Sequence, residues 1–134
     1  MLGLCLGLAG TLWAQVPTDH FTLAWNHSIE KIRWEEDYRV TPKGLVLVEA
    51  RVKGTGAGME IPDDAYLVDG SWHYHPTLPI LPTLRLGRTP EAGDYDICLA
   101  GKTKESQCQA MSHWIGAPTK EQAAVELWSC GSLP

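Results

Sequence analysis

Two stretches of period-two alternation constrain this chain more than any other feature. Phe21, Leu23 and Trp25 alternate with Thr22 and Ala24. Ile32, Trp34, Tyr38 and Val40 then repeat in a two-residue phase that Glu36 shares. Such a pattern makes half-buried strands, because successive side chains on a strand point to opposite faces. Ser28 to Lys31 separates the two runs by the length of a hairpin loop. Pairing across that loop sets Trp25 opposite Trp34, Leu23 opposite Glu36 and Phe21 opposite Tyr38. His27 shares that face at the loop end. The apolar partners support one another across the strands.

Thr41-Pro42-Lys43-Gly44 is a turn, and Leu45 to Val52 is a third strand. Both faces of this strand carry apolar residues, so two registers stay open. One sets Glu49 opposite Glu36 and Arg51 opposite Trp34, gathering Glu36, Glu49 and Arg51 into one patch. The other sets Ala50 opposite Glu36 and Val48 opposite Tyr38. The second is favoured because like charges face to face are destabilising.

Further along, Gly54, Gly56 and Gly58 mark a tight corner. Their spacing is not that of a dinucleotide-binding loop. Ala65 to Val68 and Ser71 to His75 flank the hairpin turn Asp69-Gly70, with Trp72 and Tyr74 in one phase. Pro76, Pro79 and Pro82 interrupt regular structure. Thr83 to Leu86 and Tyr95 to Leu99 are two more strand candidates. Thr119 and Gln122 fit a capping box, which predicts a short helix opening at Pro118. The expected fold is all-β: a small antiparallel sandwich or partly open barrel with a short C-terminal helix.

The 134 residues suffice for one domain. A net charge of -5 argues against a nucleic-acid partner and against attachment to anionic lipid. Met1 to Ala14 carry no charge, are mostly apolar, and are too few to span a bilayer. They read as a secretory leader lying outside the fold and ending near Ala14. The expected division is therefore a signal peptide at 1–14, a β domain at 19–115, and a helix with tail at 116–134. Export places the remaining cysteines in an oxidising compartment. Cys98 is expected to pair with Cys108, leaving Cys130 free or bonded between chains.

Three chemistries suit the ionisable groups. His73 and His75 share one side of a strand, a spacing that metals use, although no third ligand is fixed. His27 and Ser28 with a nearby glutamate supply the residue types of a nucleophilic triad. Adjacent strand residues point apart, however, and no Gly-x-Ser-x-Gly elbow occurs. The favoured arrangement is a recognising or structural polar patch of His27, Glu30, Lys31, Glu36 and Glu60. Glu36 is expected to be its most buried member, and Glu35, in the opposite phase, to be an indifferent neighbour.

The elements Phe21-Thr22-Leu23-x-Trp25-x-His27-Ser28-Ile29-Glu30-Lys31, Glu35-Glu36 and Gly56-Ala57-Gly58-Met59-Glu60 resemble a bacterial family. It is the domain-of-unknown-function family numbered eighteen-fifty. The likeness runs from about Phe21 to Cys108, and the tail beyond Trp114 departs from it. The resemblance implies an exported accessory protein encoded beside TRAP transporters of the TAXI type. Its expected partners are a TAXI receptor or TRAP permease subunits. The expectation is thus a periplasmic recognition module that is not an enzyme, needs no cofactor, and has no strong membrane association once the leader is removed. The rival class is a metal- or small-ligand-binding protein, with a hydrolase third.

Overall fold

The computed structural model describes residues 2–26, 32–53, 63–90, 94–99 and 108–133. In chain order the elements are β1 (Leu2–Leu8), β2 (Thr11–Pro17), β3 (His20–Asn26), β4 (Arg33–Thr41), β5 (Gly44–Lys53), β6 (Tyr66–Val68), β7 (Ser71–Tyr74), β8 (Leu84–Gly87), β9 (Asp96–Leu99), β10 (Cys108–Ala110), α1 (Ser112–Ile115) and β11 (Ala124–Ser132). They form two antiparallel sheets. The larger has the order β10-β9-β3-β4-β5-β7-β6 and the smaller β2-β1-β11-β8. Phe21, Leu23, Tyr38, Val40, Leu45 and Ile97 of the large sheet meet Leu4, Leu6, Val16, Val125 and Leu127 of the small one in a single core. The fold is an all-β sandwich, as the alternation predicts.

The first hairpin has the expected register. Trp25 faces Trp34, Leu23 faces Glu36, and Phe21 faces Tyr38. Phe21 stacks on Tyr38 with ring centroids 5.2 Å apart. The Asp69-Gly70 turn is also present, both residues having the positive φ that a tight hairpin turn requires (50° and 81°).

The second hairpin uses both candidate registers, one on each side of a bulge. Near its turn, Thr41 faces Gly44 and Tyr38 faces Leu47. Beyond the shift, Asp37 faces Glu49 and Glu36 faces Ala50. Val48 is the extra residue and is 41% exposed. The bulge explains why both faces of this strand looked apolar. Leu45 and Leu47 point inward before it, Ala50 and Val52 after it, and the phase changes between them. It also keeps Glu49 from opposing Glu36.

Leu2–Leu8, expected to lie outside the fold as a leader, is instead β1. It is an interior strand of the small sheet, paired with β2 on one side and β11 on the other. Leu4 and Leu6 are fully buried. A strand buried on both faces reads as a continuous apolar run, as does the apolar region of a leader; composition alone does not separate them. Gly7 fits the strand because a Cβ there would collide with the backbone carbonyl of Thr11.

The C-terminal tail also differs from expectation. The helix predicted at Pro118 does not form, and the one short helix among the described residues is α1, immediately after β10. Thr119 Oγ1 does accept a hydrogen bond from the Gln122 N–H at 3.0 Å, but this closes only a turn. Val125 and Leu127 alternate with Glu126, and β11 fills the slot between β1 and β8. Tertiary pairing there outweighs a marginal local helix. The tail is therefore part of the sandwich.

Both disulfides lie within the chain. Cys98 and Cys108 face each other across β9 and β10, as expected. Cys130 is neither free nor intermolecular: it bonds Cys5. The β1–β11 register shifts between Gly3 and Leu4, passing from Gly131 to Ser129, so Cys130 is the bulged residue.

Candidate functional site: a charged face on the large sheet

Strand alternation turns Arg33, Glu35 and Asp37 of β4, and Glu49 and Arg51 of β5, to the face opposite the core. The post-bulge register sets Glu35 opposite Arg51 and Asp37 opposite Glu49. Arg51 becomes the hub, and only 8% of it is exposed. Its Nε donates to Glu35 Oε1 at 3.1 Å. Its Nη1 donates to Asp37 Oδ2 and to Glu49 Oε2, each at 2.7 Å, and its Nη2 to Asp37 Oδ1 at 2.7 Å. The Thr22 hydroxyl, from β3, donates to Asp37 Oδ1 at 2.6 Å. Arg33 Nε donates to Glu35 Oε2 at 3.2 Å, and Arg33 Nη1 lies 3.6 Å from Asp96 on β9.

At the other side of the hub, the Tyr66 hydroxyl donates to Glu49 Oε1 at 3.0 Å. Its ring stacks on His73 with centroids 5.3 Å apart. His73 and His75 do share a face, as their spacing predicts, and both approach Glu49, at 3.6 and 3.9 Å. His75 Nδ1 is also 3.1 Å from the Val48 carbonyl oxygen. These contacts tie the two rings to Glu49 and to the backbone of β5. Among the described residues, no group of three or more His, Cys, Asp or Glu side chains is arranged to hold a metal ion.

The network sets its own electrostatics. Hydrogen bonding to Asp37 dominates at Arg51 and, against the opposing effect of burial, holds the guanidinium charged far above neutrality. At Asp37, burial works to raise the pKa, but hydrogen bonds from Arg51 and Thr22 together with the Arg51 charge outweigh it, and the carboxyl stays below its ordinary value. The sign for stability follows. A depressed carboxylate contributes fully above its unfolded pKa, and the contribution disappears as pH falls through the native value. Asp37→Asn is therefore expected to flatten the acid limb of a denaturation-versus-pH curve below about pH 4, and urea midpoints across that range would measure it.

Glu36 does not belong to this network. It faces the inner side of the sheet, where the Tyr38 hydroxyl donates to its Oε1 at 2.8 Å. Burial raises its pKa, and the tyrosine bond only partly offsets the shift. His27, Glu30, Lys31 and Glu60, the other members of the expected patch, lie outside the described residues, as does Ser28 of the triad considered above. Glu35 is not indifferent: it carries bonds from both Arg51 and Arg33.

This exchange of roles gives a direct test. Glu35→Ala should cost about 1.5–3 kcal/mol, the range for hydrogen bonds to charged groups. Glu36→Gln keeps an acceptor for Tyr38 and removes a charge that burial disfavours. A carboxyl with a raised native pKa stabilises least above that pKa. The substitution should thus leave stability unchanged or higher at neutral pH. Denaturant midpoints of the two variants should separate clearly, and Glu36→Gln the less stable of the pair would refute the assignment.

Sequence reasoning grouped Arg51 with Glu49 only in the disfavoured register, and with Glu36; it missed Arg51 as the hub and Glu35 and Asp37 as its partners. The available signal was the second phase of β4, in which Arg33, Glu35 and Asp37 alternate with the inward residues. A second buried cation, Arg88, was missed as well. It donates to both oxygens of Asp94, at 3.0 and 3.1 Å, and Asp94 also accepts the Ser112 N–H at the start of α1. That group fixes the connection into the tail.

The fold and this face define a small two-sheet β domain, closed by two disulfides and carrying a pre-organised ionic network. The chain belongs to the family described as Domain of unknown function (DUF1850), which matches residues 21–105. No curated protein and no solved structure is found to match it.

Proposed function

We propose that this chain is an exported accessory module of a TAXI-type TRAP transport system, and that it acts by recognition rather than catalysis. The observation that carries the proposal is Arg51 held by three carboxylates on the face away from the core. Side chains locked in this way lose little entropy on binding, so the face is prepared for a partner. With Asp96 the network holds four carboxylates against two guanidiniums. The acidic surplus favours a basic segment of a partner protein and disfavours nucleic acid.

Two disulfides in so short a chain fit an oxidising compartment such as the periplasm. Among the described residues no helix is long and apolar enough to cross a membrane. The partners proposed, a TAXI receptor or TRAP permease subunits, are those that the resemblance of the sequence motifs implies.

The test is affinity capture from envelope extract with the intact, oxidised protein as bait. TAXI receptor or TRAP permease subunits should be retained at low salt and released as ionic strength rises, because rim charges are screened. An Asp96→Lys bait should retain less. Absence of both subunits at low salt would overturn the proposal.

A further inference from the structure

Glu36 is the only charged side chain that β3, β4, β5 and β7 turn to the inner face of the large sheet. Its surroundings are aromatic. Trp25 stacks on Trp34 with centroids 6.2 Å apart, and Tyr95 meets Trp25 edge-on at 5.7 Å. Two strands away, Trp72 and Tyr74 continue the two rows: Trp34 faces Val52, which faces Trp72, and Glu36 faces Ala50, which faces Tyr74. Ala50 is the small residue between the carboxylate and the Tyr74 ring. Trp25 and Tyr95 are partly buried and pack against the edge of the core cluster; Trp34, Trp72 and Tyr74 stand beyond it, each partly exposed.

Two polar features at this end of the face lack what their chemistry calls for. The Glu36 carboxylate has a hydroxyl donor but no cation among the described residues. The buried Trp34 Nε1 has no hydrogen-bond partner among the described residues. The carboxylate is close enough to the phenols of Tyr38, Tyr74 and Tyr95 that, after burial, its charge is the next cause of their raised pKa values.

A carboxylate among aromatic faces attracts positive charge twice, through its own charge and through the negative face of each ring. A hard metal ion would need several oxygen ligands, and one carboxylate does not supply them. An organic ammonium ion needs one counter-charge and apolar walls; Glu36 supplies the first, and the partly exposed aromatic residues at the neighbouring register positions, Trp34, Trp72 and Tyr74, supply apolar surface for the second. We propose that Glu36, with Trp34, Trp72, Tyr74 and Tyr95, forms a site for a small organic ammonium ion, with Glu36 as its counter-ion. This site lies on the opposite face of the sheet from the Arg51 network and does not depend on the transporter reading.

The test uses the full-length oxidised protein and two probes of matched shape, choline and its uncharged analogue 3,3-dimethylbutan-1-ol. Tryptophan fluorescence and calorimetry, at neutral to mildly alkaline pH, should show saturable choline binding about tenfold or more tighter than the alcohol. Glu36→Gln should remove that preference by weakening choline alone. Near-ultraviolet circular dichroism confirms that the variant is folded. Equal binding of the two probes, no saturable binding of choline, or an unchanged preference in Glu36→Gln would each overturn the proposal.

Discussion

Replacing Arg51 with methionine is expected to destabilise the domain by about 3–5 kcal/mol, the largest effect of any single side chain on the charged face. The substitution keeps most of the aliphatic volume and removes the guanidinium. Glu35, Asp37 and Glu49 would then face one another without the group that bridges them. Breaking such a network from its centre costs more than the pair is worth, because the remaining charges stay partly desolvated. Arg51→Lys tests the geometry. A lysine supplies the charge as a single point, whereas Arg51 uses three separate nitrogens toward three carboxylates. The lysine variant should recover only part of the loss. Urea unfolding of both variants measures this, and a loss below about 1 kcal/mol for Arg51→Met would mean that the network is an exposed surface feature of little weight.

Loss of the Cys5–Cys130 bond should produce an effect of similar size. The cysteines are 125 residues apart in sequence. In the chain-entropy account a loop of that order restrains the unfolded chain by about 5 kcal/mol. Cys5→Ala and Cys130→Ala should each lower stability by about that amount, and together by no more than either alone, since one bond is removed in all three cases. Equilibrium unfolding under non-reducing conditions tests this, with peptide mapping to establish the pairing. The same bond bears on the N-terminal strand. A cut after Ala14 would fall inside β2 and remove β1 with Cys5. It would also remove Leu4 and Leu6, each worth about 1.5–3 kcal/mol of burial. A chain beginning at Gln15 is therefore expected not to fold cooperatively, and the folded protein is expected to retain β1. Intact-mass analysis of protein from the cell decides between the two: a stable, folded species starting at Gln15 would refute the expectation.

What could be read in advance was whatever the two-residue period and local turn chemistry dictate. Phe21, Leu23 and Trp25 specify their face and partners because a one-residue slip would move every one of them to the other side of the sheet. Asp69-Gly70 specifies its turn because few residue pairs accept positive φ at both positions. Cys98 and Cys108 are close enough in sequence for their hairpin pairing to be inferred. The family likeness was equally legible, since Gly56-Ala57-Gly58 and His27-Ser28 are local patterns.

Tertiary structure decided the rest, and each case turns on a partner distant in sequence. The bulge at Val48 allows one hairpin to use two registers, and only packing of Leu45 and Leu47 on one side and Val52 on the other selects where the phase changes. Without that placement Arg51 could not be assigned to Glu35 and Asp37, so the charged face stayed hidden. Leu2–Leu8 has the composition of a leader, and it becomes a strand because β2 and β11 hydrogen-bond both its edges. The tail has the cap of a helix, and it becomes a strand because β1 and β8 leave a slot for it. Both outcomes depend on contacts between the two ends of the chain, and local propensity carries no information about such contacts.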